Sequence, residues 1–352
     1  MADVRADVEP RAGTEALKIG VIASIAHRTP PRGYGPWEQV ASTLAEGLVA
    51  LGHQVTLFAT AESETAGELR STSPRGYEED LSLDAKVEEG LHLGAAFSRA
   101  GDFDVLSNQF DFLPLTYSRL VSTPMVTTIH GFSSERILPV YRAYDDIAHY
   151  VAISDADRHP DLTYAATIHH GIDVAGFTFS PLGGDHLLFL GRIHPDKGTH
   201  LAIDVARRAG VPLVIAGIVQ DQDYFDGQVA PHLGRDGISY VGPVGPAERD
   251  VLLGGAMALL HLITFPEPFG LSVVESLAAG TPVITFPLGS MPEIVTDLVT
   301  GFLVPDLQGA VEAVARLGLL RRRDCRVDVE RRFTADRMVA DYDRLFQQIV
   351  TS

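Results

Sequence analysis

His186-Leu187-Leu188-Phe189-Leu190, followed by Gly191-Arg192-Ile193-His194-Pro195-Asp196-Lys197-Gly198, decides the fold. The first five residues form a short apolar run of the kind that makes a strand buried on both faces. Glycine and proline then interrupt it. Gly198–Ala209 reads as a helix, and Pro212–Ala216 as the next strand. A strand, a helix and a second strand imply a right-handed crossover and a parallel sheet covered on both faces. Working outward, Ile238–Val241, Ala258–Ile263 and Pro282–Phe286 repeat the apolar pattern.

The same alternation occupies the first half. Lys18–Ile25 is a strand run. Val40, Ala41, Leu44, Ala45 and Leu48 recur at helical spacing, with Gly52 as the stop. Val55–Ala59, Phe103–Leu106, Met125–His130, Tyr150–Ser154 and Tyr164–His169 continue the series. The expectation is an α/β protein of two Rossmann-like, doubly wound domains. Residues 1–17 are a polar tail expected to be disordered. Residues 18–178 form an N-terminal domain and residues 179–332 a C-terminal one. Pro181, Gly183 and Gly184 mark Phe177–Asp185 as a linker. Residues 333–352 hold a last helix, with packing back onto the N-terminal domain as one destination.

Composition narrows the function. Against 46 acidic residues stand 28 Lys and Arg, so the net charge is −18. Such a surface repels phosphate backbones and anionic lipid, which disfavours nucleic acid and bulk membrane as partners. Cys325 is alone, so the chain has neither an internal disulfide nor a multi-cysteine metal site. No apolar run reaches the roughly 18 residues of an integral membrane segment. The first 17 residues lack the apolar core of a signal peptide. The expected compartment is the cytoplasm.

Open parallel sheets bind ligands at the carboxyl ends of their strands, and the reactive residues lie there. Arg192 can grip two phosphate oxygens through its fork, and Lys197 adds a compact charge just before a helix start. The same pair also suits a surface ion pair with Asp185, Asp196 or Asp204. No G-x-x-x-x-G-K-[ST] loop occurs. Phe265-Pro266-Glu267-Pro268-Phe269-Gly270-Leu271-Ser272-Val273-Val274-Glu275 contains two prolines that break a continuous helix. Glu267 therefore belongs to a loop and Glu275 to the helix after it. Carboxylates at these places suit sugar and ribose hydroxyls, because each oxygen accepts a separate hydrogen bond. His169 and His170 are adjacent, so on a strand they point to opposite faces and make no metal pair. Arg321, Arg322, Arg323, Arg326, Arg331, Arg332 and Arg337 read as a solvated face pairing with Asp324, Asp328 and Glu330, with binding of an anionic membrane or acceptor as the alternative.

Several motifs in order carry a resemblance. They begin with Pro30-Pro31-Arg32-Gly33-Tyr34-Gly35-Pro36-Trp37-Glu38, His130-Gly131 and Val151-Ala152-Ile153-Ser154. His170-Gly171-Ile172-Asp173, Gly191-Arg192 with Lys197-Gly198 and the Glu267–Glu275 string follow. Ala279-Gly280-Thr281-Pro282-Val283 and Gly289-Ser290-Met291-Pro292-Glu293-Ile294 complete the set. Over about residues 18–305 the chain resembles the retaining family-4 glycosyltransferases (glycosyl transferase group 1) of GT-B architecture, in which two Rossmann-like domains face each other across a cleft.

The resemblance implies a nucleotide-diphosphate sugar as donor, with no cofactor and no metal. It implies catalytic roles for Glu267, His130, Arg192 and Lys197. Arg192 and Lys197 would neutralise the diphosphate, Glu267 and His130 would contact the sugar, and Glu275 the ribose. Gly35, Val244, Phe269, Gly270 and Leu271 complete the donor contacts, while Tyr34, Trp37 and Glu38 stand on the acceptor side. The family usually has a second glycine where Pro36 stands, which removes one amide donor. A UDP-sugar is the first choice of donor and GDP-mannose the second, with a hydroxyl of a small or saccharide acceptor. Two alternatives remain at this point. One is a nicotinamide-dependent oxidoreductase, half-matched by Gly33-x-Gly35 but broken at Glu38, with Glu62 as its ribose acid. The other is a non-catalytic sugar-nucleotide binding protein.

Overall fold

The computed structural model describes residues 15–132 and 134–352, so most of the tail expected at residues 1–17 lies outside the described residues. The chain divides into two compact units. The first comprises the described residues up to Ile153, then Arg158–Gly171 and Ala335–Ser352. The second comprises Ser154–Asp157 and Ile172–Thr334.

The first unit is built on β1 (Lys18–Ala23), β2 (Gln54–Phe58), β3 (Glu68–Arg70), β4 (Val105–Gln109), β5 (Met125–Ile129), β6 (His149–Ala152) and β7 (Tyr164–Thr167). The sheet order is β3-β2-β1-β4-β5-β6-β7, parallel at every pairing. Every residue of β4 and β5 is buried, as the uniformly apolar and small-polar runs require of strands covered on both faces. Helices α1 (Pro36–Ala50), α2 (Ala85–Ser98) and α3 (Leu138–Tyr144) cover the sheet. Pro36 opens α1, where its missing amide hydrogen is not needed. Val40, Ala41, Leu44, Ala45 and Leu48 are its buried face. Strand order reverses between β1 and β4, so the sheet opens a crevice at their carboxyl ends.

The second unit repeats the plan with β8 (His186–Leu190), β9 (Leu213–Ala216), β10 (Ile238–Gly242), β11 (Ala256–His261), β12 (Val283–Thr285) and β13 (Gly301–Leu303). Its parallel order is β10-β9-β8-β11-β12-β13, and the reversal lies between β8 and β11. The helical elements are α4 (Thr199–Ala209), the single turn α5 (Gln222–Tyr224), α6 (Pro246–Gly255), α7 (Leu271–Ala278), α8 (Met291–Ile294), α9 (Leu307–Arg316) and α10 (Arg322–Arg332). Leu187, Phe189, Ile203, Ala206, Ile215, Leu260 and Ile284 are among the residues of one continuous core.

The last helix, α11 (Ala335–Val350), belongs to the first unit. It buries Met338, Val339, Tyr342, Leu345 and Phe346. It approaches α1 so closely at Gly47 that an added Cβ there would lie 2.4 Å from Val339 Cγ2. Asp343 Oδ1 lies 3.1 Å from His53 Nε2, and Tyr342 shares a 2.7 Å hydroxyl hydrogen bond with Thr128.

The arginine-rich stretch departs from expectation. Residues 322–332 are helical, and Cys325, Asp328 and Val329 are buried. The expected ion pairs form at Arg321–Asp324, Arg326–Glu330, Arg331–Asp328 and Arg332–Asp328. Four arginines nevertheless turn inward: Arg332 donates to the Glu293 carbonyl and Arg337 to the carbonyls of His169 and His170, and Arg322 and Arg326 are held in the same way. Arg322 donates to the carbonyls of Ser180 (2.6 Å), Ala256 (2.8 Å) and Gly254 (3.0 Å), and to Thr281 Oγ1 (2.5 Å). Arg326 Nη1 donates to the carbonyls of Phe177 and Ala278. The five-donor fork of guanidinium can satisfy several carbonyls at once, so part of this face is an internal clamp and not a solvated surface. Arg322→Met should cost about 2–4 kcal/mol, because it leaves buried carbonyls unpaired. A fall in the urea midpoint reads this out, and an unchanged midpoint contradicts the clamp.

Candidate functional site

In the second unit the residues after β8 and β11 meet at the strand-order reversal. Gly198 has φ 71°, and a Cβ there would lie 1.9 Å from the carbonyl oxygen of Leu262, so only glycine fits. Thr264 donates its amide to the Asp196 carbonyl at 2.9 Å, lacing the two loops together. Lys197 Nζ consequently reaches Glu267 Oε2 at 2.5 Å and lies 4.6 Å from the centre of the Phe265 ring. His261, the last residue of β11, brings Nε2 to 3.5 Å from the same oxygen. Burial alone would raise the Glu267 carboxyl, but His261 and Lys197 overcome it and hold the group down at about 2. Glu267 is therefore a carboxylate at any working pH.

The loop bearing Glu267 is held from several sides. Ser290 donates its amide to the Glu267 carbonyl and its hydroxyl to the Phe269 carbonyl. Ser154 donates its hydroxyl to the Pro268 carbonyl at 2.7 Å and accepts from the Asp157 amide. Glu293 accepts the amides of Asp155 and Ala156 at 2.9 and 2.7 Å. Burial first, then Glu267 and Glu293, push the Asp157 carboxyl up to about 7. Phe269 is buried with its ring edge-on to Phe333. Gly270, at φ 90°, leads into α7, and a Cβ would sit 2.8 Å from Met291 Cε.

Arg192 follows β8 and hydrogen-bonds Gln220. Gln220 borders an open cavity of about 350 Å³ lined with His194, Asp221, Gln222 and Asp223. Glu275 lies on α7, and Arg249 Nη1 approaches its Oε1 at 3.0 Å. Val244 lies in the loop between β10 and α6. Arg192, Lys197, Glu267 and Glu275 thus all come from the carboxyl ends of β8 and β11 or the helix after β11.

In the first unit His130 follows β5 and stacks between two rings. Trp37 lies 5.5 Å away at 22°, and His170 5.2 Å away at 29°. His130 Nε2 is 3.0 Å from Gln109 Oε1, and Nδ1 is 3.4 Å from His170 Nε2. Gln109 is buried, and its amide nitrogen donates to Ser107 and Thr128, the latter bonded to Tyr342 of α11. Burial of the imidazole lowers His130 to about 3, so the ring is neutral. Of the residues expected on the acceptor side, Tyr34 is exposed, Trp37 is half-buried against His130 and Glu38 is buried. Glu38 Oε1 accepts the His27 amide. Gly35 caps α1, and a Cβ there would lie 2.8 Å from Pro31 Cβ. No group of three or more His, Cys, Asp or Glu suited to a metal ion occurs among the described residues.

Sequence reading did not single out Gln109, Arg249 or His261 as site residues, and it used His170 as part of a resemblance motif without giving it a role. Gln109 and His261 each end a strand, which is the signal that could have found them. Arg249 sits mid-helix, and nothing in its sequence neighbourhood marks it.

Known proteins resemble the chain in parts and as a whole. Residues 178–324 match the family model described as glycosyl transferases group 1. Glycogen synthase of Mycobacterium tuberculosis is 35% identical over 151 residues, which are 40% of this chain and 36% of that enzyme. The chain thus spans little more than a third of that relative. Phosphatidyl-myo-inositol mannosyltransferase of the same organism is 28% identical over 86% of this chain and 88% of its own. Among solved structures, sucrose-phosphate synthase from Thermosynechococcus elongatus superposes with TM-score 0.80 at 20% identity, covering 95% of this chain and 99% of its own. Anabaena Alr3699/HepE in complex with UDP-glucose gives TM-score 0.71 at 18% identity, covering 96% and 100%. The fold is GT-B, and its second unit carries the segment that matches the group 1 glycosyltransferases.

The buried histidines set a pH expectation for the first unit. Folded His130 and His92, depressed to about 3 and about 4, refuse protons that the unfolded chain accepts below about pH 6.5. Protons then favour the unfolded state, so stability is full above pH 6.5 and falls as pH drops towards 4. Proton NMR should show the His130 ring unprotonated down to pH 5, and a midpoint near 6.5 contradicts the stacked, neutral imidazole.

Proposed function

We propose that the protein is a retaining, metal-independent hexosyltransferase of the cytoplasm that moves a sugar from a nucleotide-diphosphate donor to an acceptor hydroxyl. The Lys197–Glu267 pair at the mouth of the second sheet carries this reading. A lysine and an ionised carboxylate at one strand-order reversal can serve the two ends of a sugar phosphate.

Arg192 and Lys197 neutralise the diphosphate, together with the free amides that open α7 at Leu271. Glu267 accepts hydrogen bonds from the sugar hydroxyls, with the peptide links from Phe269 to Leu271 alongside. Its low pKa makes it an acceptor and a counter-charge, not an acid. Glu275 takes the ribose, and Val244 and Gly35 complete the donor contacts. The bond between the anomeric carbon and the diphosphate oxygen breaks with its electron pair on that oxygen, where cations stabilise the developing charge. The acceptor oxygen bonds to the same face of the carbon, and its proton passes to the leaving phosphate. His130 meets the sugar as a neutral ring. The acceptor is held by the Tyr34–Glu38 loop through Tyr34 and Trp37, with buried Glu38 shaping the loop.

A UDP-sugar is the first choice of donor, in keeping with the UDP-glucose complex of the structural neighbour. GDP-mannose is the second, in keeping with the mannosyltransferase relative. Lys197→Ala and Glu267→Ala should each lower transfer by about 100- to 1000-fold with circular dichroism unchanged. EDTA should leave the wild-type rate as it is. Full turnover in both variants, measured with radiolabelled sugar nucleotides, rejects the assignment.

A further inference from the structure

Arg249 lies on α6, outside every motif discussed so far. Its Nη1 is 3.0 Å from Glu275 Oε1, and its guanidinium carbon stands 5.7 Å from the centre of the Phe177 ring. The Glu275 side chain is 13% exposed, so this contact is shielded from bulk water. Arg249 Nε is buried without a hydrogen-bond partner among the described residues. A guanidinium held with a donor unsatisfied is retained by its charge and position more than by a complete hydrogen-bond set.

Other charges near α7 are engaged elsewhere. On α6 itself, Glu248 accepts from the Gly245 amide and Asp250 from the Thr178 amide. From α10, Arg322 and Arg326 bond to backbone carbonyls. His261 of β11 stands beside Glu267, and β12 contains no titratable residue. Burial pushes the Glu275 carboxyl upward, and Arg249 is the charge that opposes it.

We propose that Arg249 is a positioning residue for donor selection: it fixes one oxygen of Glu275, so that the carboxylate meets a vicinal diol in a single orientation. This rests on the reading of Glu275 as the ribose acid. A diol offers two donors to one carboxylate, whereas a deoxyribose offers one. A carboxylate in fixed orientation therefore discriminates between them. Without Arg249 the carboxyl rotates and takes up a proton more readily, and a protonated acid has lost half of its acceptor character.

Titration of UDP, GDP and their 2′-deoxy analogues into the full chain tests this, using wild type, Arg249→Met, Arg249→Lys and Glu275→Gln. Wild type should prefer the ribonucleotide by roughly tenfold. Arg249→Met should erase most of that preference, and its ribonucleotide affinity should fall more steeply than the wild type's as pH is lowered. Arg249→Lys should recover part of both, which a merely structural loss would not. A folded Arg249→Met with the wild-type ribose preference and the wild-type pH profile overturns the proposal while leaving Glu275 as the ribose acid. An unchanged preference in Glu275→Gln, or no binding of either nucleotide to wild type, instead overturns the donor-site reading itself.

Discussion

The approach of two loops at Gly198 governs the second unit. The carbonyl of Leu262 occupies the space that any side chain would need, and the Thr264 amide closes on Asp196 beside it. Through this contact the residues after β8 and those after β11 share one place, although about 70 positions separate them in the chain. A residue with a Cβ at Gly198 would have to displace the Leu262 carbonyl, and the loop after β11 that carries Glu267 would shift with it.

Around that contact the chain keeps its buried charges in company. Glu267 has Lys197 and His261, Glu275 has Arg249, and Asp328 has Arg331 and Arg332. Burying a charge alone is costly enough that an unpaired group gives up its proton or takes one on. The histidines of the first unit follow the other course. His92, His130 and His170 are enclosed and stay neutral, held by a backbone carbonyl, an amide side chain and one another. The buried carboxylates of the second unit and the buried histidines of the first thus reach opposite electrostatic solutions on similar sheets, the carboxylates paired with cations and the histidines enclosed and uncharged.

Much of the fold was legible because buried parallel strands are written as unbroken apolar runs. His186–Leu190 sits where the sequence places it, the last helix lies within residues 333–352, and the other long strands differ by a few residues at their ends. β3 and β13 escaped notice because three residues at a sheet edge show no period. The placement of Glu267 in a loop and Glu275 on a helix followed from Pro266 and Pro268. What stayed hidden was long-range: that Arg322 would face four acceptors and not water, and that Arg249 would reach across to another helix. Arginine looks alike on a surface and in a clamp, since its pattern in the chain carries no record of which carbonyls lie opposite.

The return of α11 to the first unit has a consequence for biosynthesis. Residues 172–334 emerge from the ribosome before the helix whose Val339 fills the notch at Gly47 and whose Tyr342 closes the chain of hydroxyls leading to Gln109. The first unit therefore closes only once synthesis has passed Val350, which makes its folding a joining of the two ends of the polypeptide.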